Sequence, residues 1–537
     1  MSAGEPVAGS TSPEHRAEVG GVARAAGIVA SGNVASRILG LFRVTLIAGL
    51  FGATGLVSAY QIAVTVPVMV YDLLVGGMLS SALVPVFSEY AAAKNREELS
   101  RLISTVLGVA AAMLVIVIIA IEVFAPQIAW VLGGGLPPEL RAVATRSIRI
   151  VAVALFFLGL SGVVTAVLYT MKRFTYPAFA AAAFNVGIIL AALLLSGSLG
   201  IYSLAVGVVL GSVMQLAIQL PNMRDIGVRL RIDLTHPGLR RIVYLYLPVL
   251  AGLLVSQIQV AIDRNLASHT GEQSIAWMQN ATTLIQFPHG LIAVAISLAV
   301  LPSLARFSTL KDWDAYRRTL SVGLRLVIVL IVPATVGMFI LAYPIVTLIF
   351  EHGRFTPSDT YWTATALKFY LFGLVFASID WPLNYAFYAR QDTLTPTLVG
   401  VLSVAVYLAV ALTLLPAYGM IGLVFADSCK HFSHAVTMLI LTQRRVGGLD
   451  GRRMARTVLK TIAMSAAMAI VMLIIMQFLP GWSVNGKFLQ QLVTVGIVGG
   501  TGLIAYVACG ALLKQEEMAL LWSTVRSRLP MKNLTGV

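Results

Sequence analysis

The sequence predicts an all-α polytopic membrane protein with about 14 transmembrane helices, arranged as two parallel six-helix lobes plus two C-terminal helices. Hydrophobic residues make up 58% of the 537 residues and charged residues only 11%, whereas a soluble domain carries about 25% charged residues. Apolar runs long enough to cross a bilayer recur along the chain, and pieces of its first half recur in its second half. A soluble enzyme, a disulfide-rich secreted module and a disordered chain are therefore excluded.

Each predicted span rests on the length of an apolar run, because a helix needs about 20 mostly apolar residues to cross about 30 Å of hydrocarbon. Such runs predict fourteen spans, at roughly 23–50, 57–87, 102–125, 146–170, 177–196, 200–221, 242–266, 275–304, 319–343, 361–389, 396–416, 419–442, 457–479 and 488–513. The first 22 residues are polar and lack the short apolar core of a signal peptide. The first span is therefore expected to act as the insertion signal.

Basic residues are unevenly distributed between the two sets of loops. Loops after even-numbered spans contain 20 Lys and Arg residues, and loops after odd-numbered spans contain four. Since Lys and Arg accumulate in cytoplasmic loops, both termini are predicted to be cytoplasmic. The same bias, facing anionic lipid, explains the net charge of +15, so we expect no nucleic-acid partner.

Two sequence anchors indicate an internal repeat. The segment 83–90 recurs as 300–307 at an offset of 217 residues, and 169–177 recurs as 388–396 at an offset of 219. Single residues also match at the second offset, namely Gly200 with Gly419 and Leu204 with Leu423. Because the offset equals six spans, an even number, the two copies are expected to be parallel. Transporters use such repeats, with the substrate site between the halves.

The repeat divides the chain into five predicted segments. They are a polar cytoplasmic tail at 1–22, an N-lobe at 23–223, a C-lobe at 224–445, helices 13 and 14 at 446–513, and a cytoplasmic tail at 514–537. The last two spans fall outside the repeat, so they could brace the lobes, bind a partner or form the wall of a lipid-facing groove. Gly496 and Gly500 are expected to allow close packing there.

The sequence contains no convincing enzyme motif. A P-loop, a zinc His-Glu-x-x-His and a nucleophile elbow are all missing from the 537 residues. The two cysteines, Cys429 and Cys509, lie in apolar stretches and offer neither a disulfide framework nor a metal site. We therefore predict a protein that is not an enzyme and that has no metal or cofactor.

Arginines inside the first span are the strongest candidates for a functional site, because a charge within the bilayer costs about 2.5 to 3.5 kcal/mol. Arg37 lies about 20 Å along a helix that starts near Arg24, close to mid-depth. It could bind an anion or pair with a carboxylate on another helix. Arg43 lies about 120° around the helix from Arg37. It could line the same cavity, with Gly40 allowing a bend, or reach the outer interface.

Other charges in or near the spans are open to several interpretations. Asp263 and Arg264 could close an outer gate, supply a further cation or form an interfacial ion pair. Asp72 could neutralise Arg37, bind a coupling cation, carry a proton or lie at a cavity mouth. Asp427 and Lys430 are three residues apart and predict an ion pair on one helix face. Weaker candidates, which could equally serve helix packing or loops, are Asn185, Gln286, His289, Lys172, Arg173 and Arg390.

Several segments in order resemble the MurJ/MviN family of lipid II flippases, which belongs to the multidrug, oligosaccharidyl-lipid and polysaccharide exporter superfamily. The matching segments are 36–43, 51–53, 82–90, 173–178, 219–221, 287–290, 350–356 and 387–392. The resemblance covers nearly the whole chain and implies two six-helix lobes around a central cavity. It also implies a flippase that moves lipid II from the inner to the outer leaflet of the bacterial cytoplasmic membrane by alternating access.

The same resemblance implies how the site would work and where this chain departs from the family. Arg37, Arg43 and Arg264 would bind the substrate, and the membrane potential or a monovalent cation would drive transport. Family members typically carry a basic pair in helix two where this chain has Tyr71 and Asp72. The alternatives are an exporter of another lipid-linked glycan or amphiphile and a non-transporting scaffold for cell-wall synthesis. Expected partners are the lipid-linked substrate, membrane lipids and cell-wall synthesis proteins.

Overall fold

Helices form the regular structure of the chain. The computed structural model describes residues 13–93, 95–227, 232–478, 488–520 and 522. The first helices are α1 Pro13–Phe51, α2 Gly55–Tyr71, α3 Val84–Ala92, α4 Arg96–Gly133, α5 Pro138–Ala152, α6 Ala154–Thr170, α7 Thr175–Leu199 and α8 Tyr202–Ala217. The following helices are α9 Pro237–Ser268, α10 Ser274–Pro288, α11 Ala295–Thr309, α12 Trp313–Ile340, α13 Ala342–Phe350, α14 Pro357–Tyr388, α15 Leu394–Val446, α16 Gly451–Phe478 and α17 Phe488–Leu512.

Short segments of other helix types join some of these helices. The π-helical turns Asp72–Gly76 and Leu79–Leu83 lie between α2 and α3, and His289–Val294 lies between α10 and α11. A 3₁₀ helix, Leu220–Ile226, follows α8. Because the π turns continue the helix rather than end it, α2 to α3 and α10 to α11 each form one long membrane-spanning helix.

Among the described residues, eleven helices are long and apolar enough to cross a membrane, or thirteen if each of two bent helix pairs counts as one span. The pairs bend by 41° after Ala217 and by 46° after Leu250. Pro248 precedes the second bend and explains it, because proline removes a helix hydrogen bond. Gly419, with φ 53° and ψ −130°, joins two helices within α15. The all-helical polytopic fold is confirmed, and the fourteen predicted spans correspond to these thirteen, one of which divides at Gly419.

Both ends of the chain extend beyond the described residues. α1 begins at Pro13, earlier than the predicted start of the first span, and proline is favoured in a first helical turn. Residues 1–12 of the predicted N-terminal tail lie outside the described residues. Of the predicted C-terminal tail, residues 521 and 523–537 do as well.

The chain forms two compact units. The first contains the described residues up to Ile47 together with Ala59–Leu132 and Pro138–Ile258. The second contains Ala48–Ser58, Gly133–Pro137 and the described residues from Gln259 onward. Phe87, Leu102 and Val167 belong to a buried apolar cluster of the first unit, and Tyr316 and Phe387 to one of the second.

The last two spans, α16 and α17, pack through methionines inside the second unit. Met468 and Met472 lie in a buried cluster with Tyr506, whose hydroxyl donates to the carbonyl oxygen of Val329 at 2.7 Å. A Cβ at Gly502 would lie 2.6 Å from Met472 Cγ, so this glycine allows the contact.

The expectation that Gly496 and Gly500 provide the close packing is wrong. A Cβ at either position would meet no described heavy atom within 4 Å. Both glycines face away from the neighbouring helix, because the rotation of α17 turns Gly502 towards it instead.

Candidate substrate and coupling sites

α1 packs on α7 along a stripe of small residues. Gly32, Ser36 and Gly40 recur every four residues and therefore lie on one face of α1. A Cβ at Gly32 would lie 2.2 Å from the carbonyl oxygen of Ala178, so the approach requires glycine. Asn185, only 6% exposed, donates through Nδ2 to the carbonyl oxygen of Ser36 at 3.2 Å and lies opposite Gly40. Asn185 therefore positions the turn of α1 that carries the first candidate arginine.

Arg37 and Arg43 are half-buried on different sides of α1. With about 100° per residue, Arg37 lies about 100° from Ser36, whereas Arg43 lies about 20° from it, near the small-residue stripe. Arg43 interacts electrostatically with the phenol of Tyr60 on α2, which is 3% exposed. A phenol does not neutralise a guanidinium at neutral pH, so Arg43 keeps its positive charge.

Asp72 begins the π-helical turn that follows α2. Its carboxylate is half-buried and interacts with Tyr71, which in turn interacts with Tyr169. A Cβ at Gly76 would lie 3.4 Å from Asp72 Oδ1, so the glycine leaves space beside the carboxylate. Single π turns inside helices are frequent at functional sites. The structure therefore places this predicted coupling residue at an irregular point of its span.

Lys172 and Arg173 lie in the turn between α6 and α7. Lys172 is exposed and has φ 59°. Arg173 donates through Nη1 and Nη2 to the two carboxylate oxygens of Asp225 at 2.7 and 2.5 Å, and through Nη1 to the carbonyl oxygen of Asn222 at 2.6 Å. The hydrogen bond with Asp225 raises the pKa of Arg173. Arg173 therefore has a local role in this turn, and Lys172 is the more accessible cation.

The adjacent charges Asp263 and Arg264 contact different helices. The hydroxyl of Tyr407 on α15 donates to Asp263 Oδ1 at 2.6 Å, and Tyr407 is fully buried. Arg264 Nη2 donates to Oε1 of Gln279 on α10 at 2.9 Å. The two residues thus connect α9 to two neighbouring helices of the second unit, and Arg264 is bound by a neutral amide.

A polar cluster on the second half of α15 lies in the same unit. The predicted ion pair is confirmed, since Lys430 Nζ lies 2.5 Å from Asp427 Oδ1. His431 Nε2 lies 3.7 Å from Asp427 Oδ2, and His434 Nδ1 lies 2.8 Å from Oδ1 of Asp380 on α14. His431, His434 and Asp380 were not identified as a group from the sequence. Helical spacing from residue 427 to residue 434 could have identified the α15 members.

The remaining candidates are dispersed. Gln286 is exposed on α10. His289 begins the π-helical turn between α10 and α11, and its Nδ1 lies 3.2 Å from Ser378 Oγ. Arg390 lies over the ring of Trp313, with its guanidinium carbon 5.4 Å from the ring centroid, a cation–π contact that stabilises its loop.

The family of the chain follows from its sequence as a whole. Among the described residues, no group of three or more His, Cys, Asp or Glu side chains could hold a metal ion. The profile of the family described as lipid II flippase MurJ matches residues 47–494. The chain belongs to the MurJ lipid II flippase family. Since this family consists of transporters, the chain is a multi-pass membrane transporter and not an enzyme.

Curated MurJ relatives match most of the chain. The lipid II flippase MurJ of Burkholderia cenocepacia is 32% identical over 379 residues, which cover 68% of this chain and 73% of that protein. The probable lipid II flippase MurJ of Vibrio cholerae is 32% identical over 422 residues, covering 75% and 80%. The probable MurJ of Bdellovibrio bacteriovorus is 28% identical over 451 residues, covering 82% and 85%.

Solved structures of the MurJ family and of related exporters have the same fold. A lipid II flippase MurJ in an inward closed conformation has a TM-score of 0.77 and 24% identity, covering 91% of this chain and 99% of that one. An inward-facing multidrug transporter of the MATE family has a TM-score of 0.65 and 15% identity, covering 78% and 96%. This chain therefore shares its fold with a MurJ structure and with a MATE transporter.

Proposed function

We propose that the chain moves lipid II, an undecaprenyl-pyrophosphate-linked peptidoglycan precursor, from the inner to the outer leaflet of the bacterial cytoplasmic membrane by alternating access. The observation that carries this proposal is the match of residues 47–494 to the lipid II flippase family. Two curated relatives at 32% identity are named lipid II flippase MurJ and probable lipid II flippase MurJ. The excess of basic residues in alternate loops supports an orientation with both termini in the cytoplasm.

Arg37 is the residue that we assign to the substrate pyrophosphate. Its guanidinium is a planar fork that binds two phosphate oxygens at once and keeps its charge inside a membrane. The half-buried position on α1, beside the turn held by Asn185, supports this role. Arg43 is the second anion-binding cation in the proposal. Arg264 is the third, since its neutral partner Gln279 leaves its charge in place.

The membrane potential is the driving force that the charge of the substrate favours. A pyrophosphate carries roughly two negative charges, and moving them outward across an inside-negative potential releases about 4.6 kcal/mol per 100 mV. Asp72 and Asp263 are the proposed coupling or gating residues. The hydrogen bond from Tyr407 to Asp263 supports a gating role, because it joins two spans of one unit. The flip rate can be measured in proteoliposomes before and after the membrane potential is collapsed. An unchanged rate would exclude the potential as the driving force.

The repeated halves are the moving bodies in the proposal. We assign them to the predicted lobes 23–223 and 224–445, with helices 13 and 14 at 446–513 outside the repeat. The recurrence of one unusual backbone conformation at Gly200 and Gly419 supports the repeat. Cell-wall synthesis proteins are the proposed protein partners, because they would use the delivered precursor.

Complementation tests the function directly. A bacterium depleted of its own lipid II flippase is given the wild-type chain, Arg37→Ala, Arg37→Lys or the control Arg452→Ala, with membrane levels checked by immunoblot. Arg452 is exposed, so its loss changes the net charge equally without touching α1. We expect rescue by the wild type and the control, and failure of Arg37→Ala. Losing a charge-assisted hydrogen bond of about 1.5 to 3 kcal/mol slows transport about ten- to hundredfold.

Two outcomes would count against the proposal. Full rescue by Arg37→Ala would remove this arginine from the transport path. Failure of a well-expressed wild-type chain would count against lipid II as the substrate and favour another lipid-linked substrate or a non-transporting scaffold. Arg37→Lys separates charge from geometry, since lysine keeps the positive charge but loses the bidentate fork.

A further inference from the structure

Basic side chains surround a small open pocket where α12, α16 and the segment after α17 meet in the second unit. The pocket is shallow and open to solvent, and it is lined by Arg325, Arg453, Arg456, Lys460, Glu516 and Glu517, among others. Four of these side chains are cationic and two are anionic, which leaves an excess of two positive charges. None of these residues belongs to the substrate or coupling sites proposed above.

Glu517 holds the pocket together through contacts with three neighbouring side chains. Its carboxylate accepts hydrogen bonds from the hydroxyl of Thr457 at 3.0 Å and from Nε2 of Gln515 at 2.7 Å. It also lies 3.2 Å from Nη1 of Arg325, and the Glu517 side chain is only 4% exposed. Lys460 Nζ donates to the carbonyl oxygen of Lys514 at 3.1 Å, which fixes the same segment against α16.

Arg325 adds a buried positive charge to this pocket. It is 8% exposed, and its Nε and Nη1 have no hydrogen-bond partner among the described residues. Nη1 lies 3.2 Å from Glu517 Oε1 and 3.8 Å from Glu516 Oε2, so these carboxylates balance part of its charge. Because Nε and Nη1 of Arg325 are closed to solvent, a phosphate oxygen in the pocket would accept instead from the exposed guanidiniums of Arg453 and Arg456.

Apolar side chains beside the pocket favour a lipid over a soluble phosphate. Leu459, between Arg456 and Lys460 in the sequence, is 68% exposed, and Leu512, at the end of α17, is 82% exposed. Trp522 is 71% exposed a few residues later. Tryptophan is enriched at the level of lipid headgroups, and exposed leucines at a span end face acyl chains. The cations and the apolar side chains therefore match the two parts of an anionic phospholipid.

We propose that this pocket binds the phosphate headgroup of an anionic phospholipid. The phosphodiester would lie between the cations of α12 and α16, and the acyl chains would run along the exposed leucines. Lipid binding there would hold α16, α17 and α12 together. This site is independent of the proposed transport function, because it lies outside the repeat-based substrate and coupling residues.

The test compares two double variants that remove the same charge. Arg453→Gln/Arg456→Gln removes two pocket cations, and Arg444→Gln/Arg452→Gln removes two exposed arginines that do not line the pocket. Each purified full-length protein in detergent is titrated with dioleoyl phosphatidylglycerol, dioleoyl phosphatidylcholine or inorganic phosphate. Bound lipid is counted by native mass spectrometry, and wild-type elution and helix content establish folding.

We expect the wild-type protein to bind phosphatidylglycerol in preference to phosphatidylcholine. The pocket variant should lose affinity about 30-fold, equivalent to about 2 kcal/mol for two cations, while the control variant stays within about twofold of wild type. Equal losses in the two double variants would overturn the proposal in favour of general surface charge. Equal binding of phosphatidylcholine, or binding of inorganic phosphate as tight as that of the lipid, would overturn it as well.

Discussion

The two halves of the repeat share their backbone turns but differ in the chemistry of their spans. Gly200 has φ 54° and ψ −133°, and Gly419, 219 residues later, has φ 53° and ψ −130°. Lys172 and Gln391, separated by the same offset, both have φ 59°. Positive φ values are uncommon outside glycine. Their recurrence at one offset indicates that both halves follow the same path through these turns.

The π-helical turns recur in the same way. One begins at Asp72 and another at His289, 217 residues later, which is the offset of the first sequence anchor. The irregular hydrogen bonding of the second span is therefore present in both halves. The residue that begins the turn differs, since it is a carboxylate in the first half and an imidazole in the second.

Ion pairs at the matching turns have opposite polarity. Arg173 pairs with Asp225 at 2.5 Å in the first half. In the second half, Asp392 takes the position of the arginine and pairs with Arg445, also at 2.5 Å. Both halves therefore have an ion pair at this turn, with the acidic and the basic residue exchanged.

Inside the spans, neutral contacts of the first half correspond to ionisable contacts of the second. Gln215 Nε2 donates to Ser161 Oγ at 3.1 Å. The residues 219 positions later are His434 and Asp380, which lie 2.8 Å apart. The same pair of helices is thus joined at the same place by an amide and a hydroxyl in one half and by an imidazole and a carboxylate in the other.

The ion pair of α15 likewise corresponds to neutral residues in the first half. Asp427 and Lys430 correspond to Val208 and Gly211 of α8 in the first half. There, Val208 is 1% exposed, and a Cβ at Gly211 would lie 2.4 Å from the carbonyl oxygen of Phe184, so this region is close apolar helix packing. Backbone path and contact positions are common to both halves, whereas at these positions the second half has ionisable side chains and the first half has neutral ones.

The largest difference in stability between matched variants of the two halves is expected at two polar contacts. These are Gln215 with Ser161 and His434 with Asp380. His434→Leu leaves the carboxylate of Asp380, 7% exposed, without its partner and should lower the free energy of unfolding by about 3 kcal/mol. Gln215→Leu should cost about 1 kcal/mol, because Ser161 keeps a hydrogen bond from Gln219 at 2.6 Å. Unfolding in detergent, followed by circular dichroism, measures both.

A double variant sharpens this comparison. Asp380→Ser with His434→Gln installs the pair of the first half in the second, and we expect it to recover most of the stability lost in His434→Leu. Equal losses for His434→Leu and Gln215→Leu would show that the ionisable pair contributes no more than the neutral one.

The next largest loss of stability is expected at Gly200 and Gly419, and it should be the same in both halves. Gly200→Ala and Gly419→Ala each force a Cβ into a backbone conformation that glycine alone adopts readily, at a cost of about 2 kcal/mol. No described atom lies within 4 Å of a Cβ at Gly200, and the nearest at Gly419 is 4.0 Å away, so the cost comes from the backbone. Thermal unfolding of the two variants tests this equality.

Gly197→Ala is the control for this pair, since Gly197 lies within α7 with open space around it. Alanine is the better helix former there, so stability should be unchanged or rise by up to about 1 kcal/mol. A clear difference in stability between Gly200→Ala and Gly419→Ala would mean that the two turns contribute differently to the stability of the fold, despite their equal dihedral angles.

The sequence predicted those features that depend on local pattern. Apolar run length predicted the spans, including the boundary between the spans 396–416 and 419–442 at which α15 divides. The pair Asp427 and Lys430 was predictable because residues three apart lie on one helix face. These inferences needed no knowledge of how the helices pack.

Features that depend on how the helices pack could not be predicted from the sequence. Tyr407 donates to Asp263 across 144 positions of sequence, and no local pattern marks that contact. The π turn at Asp72 depends on a change of hydrogen-bond register, which composition does not encode. The choice of Gly496 and Gly500 for helix packing was wrong because helix rotation, rather than the presence of glycine, decides which face meets a neighbour.

The smallest loss of stability is expected when the ion pairs at the turns are broken. These pairs are Arg173 with Asp225 and Arg445 with Asp392. Partial burial opposes the charged form of Asp392, but hydrogen bonds from Thr395 and the charges of Arg445 and Arg390 outweigh it and lower the pKa of Asp392. A lowered pKa in the folded state stabilises the fold above the unfolded value of about 3.9, and this contribution disappears as the pH falls through the folded value. Asp392→Asn should therefore cost about 0.5 kcal/mol at pH 7 and less as the pH falls below the unfolded value.

Asp225→Asn is the matched variant of the first half, because it breaks the ion pair of opposite polarity. At pH 7 its effect on stability should be no larger than that of Asp392→Asn, since the carboxylate of Asp225 is more exposed and its ion pair is screened by solvent. Unfolding in detergent at pH 7 and near pH 2 measures both. A cost of Asp392→Asn that is the same at the two pH values would assign the role of Asp392 to hydrogen-bond geometry at the start of α15, and the charge reversal between the halves would then be without energetic consequence.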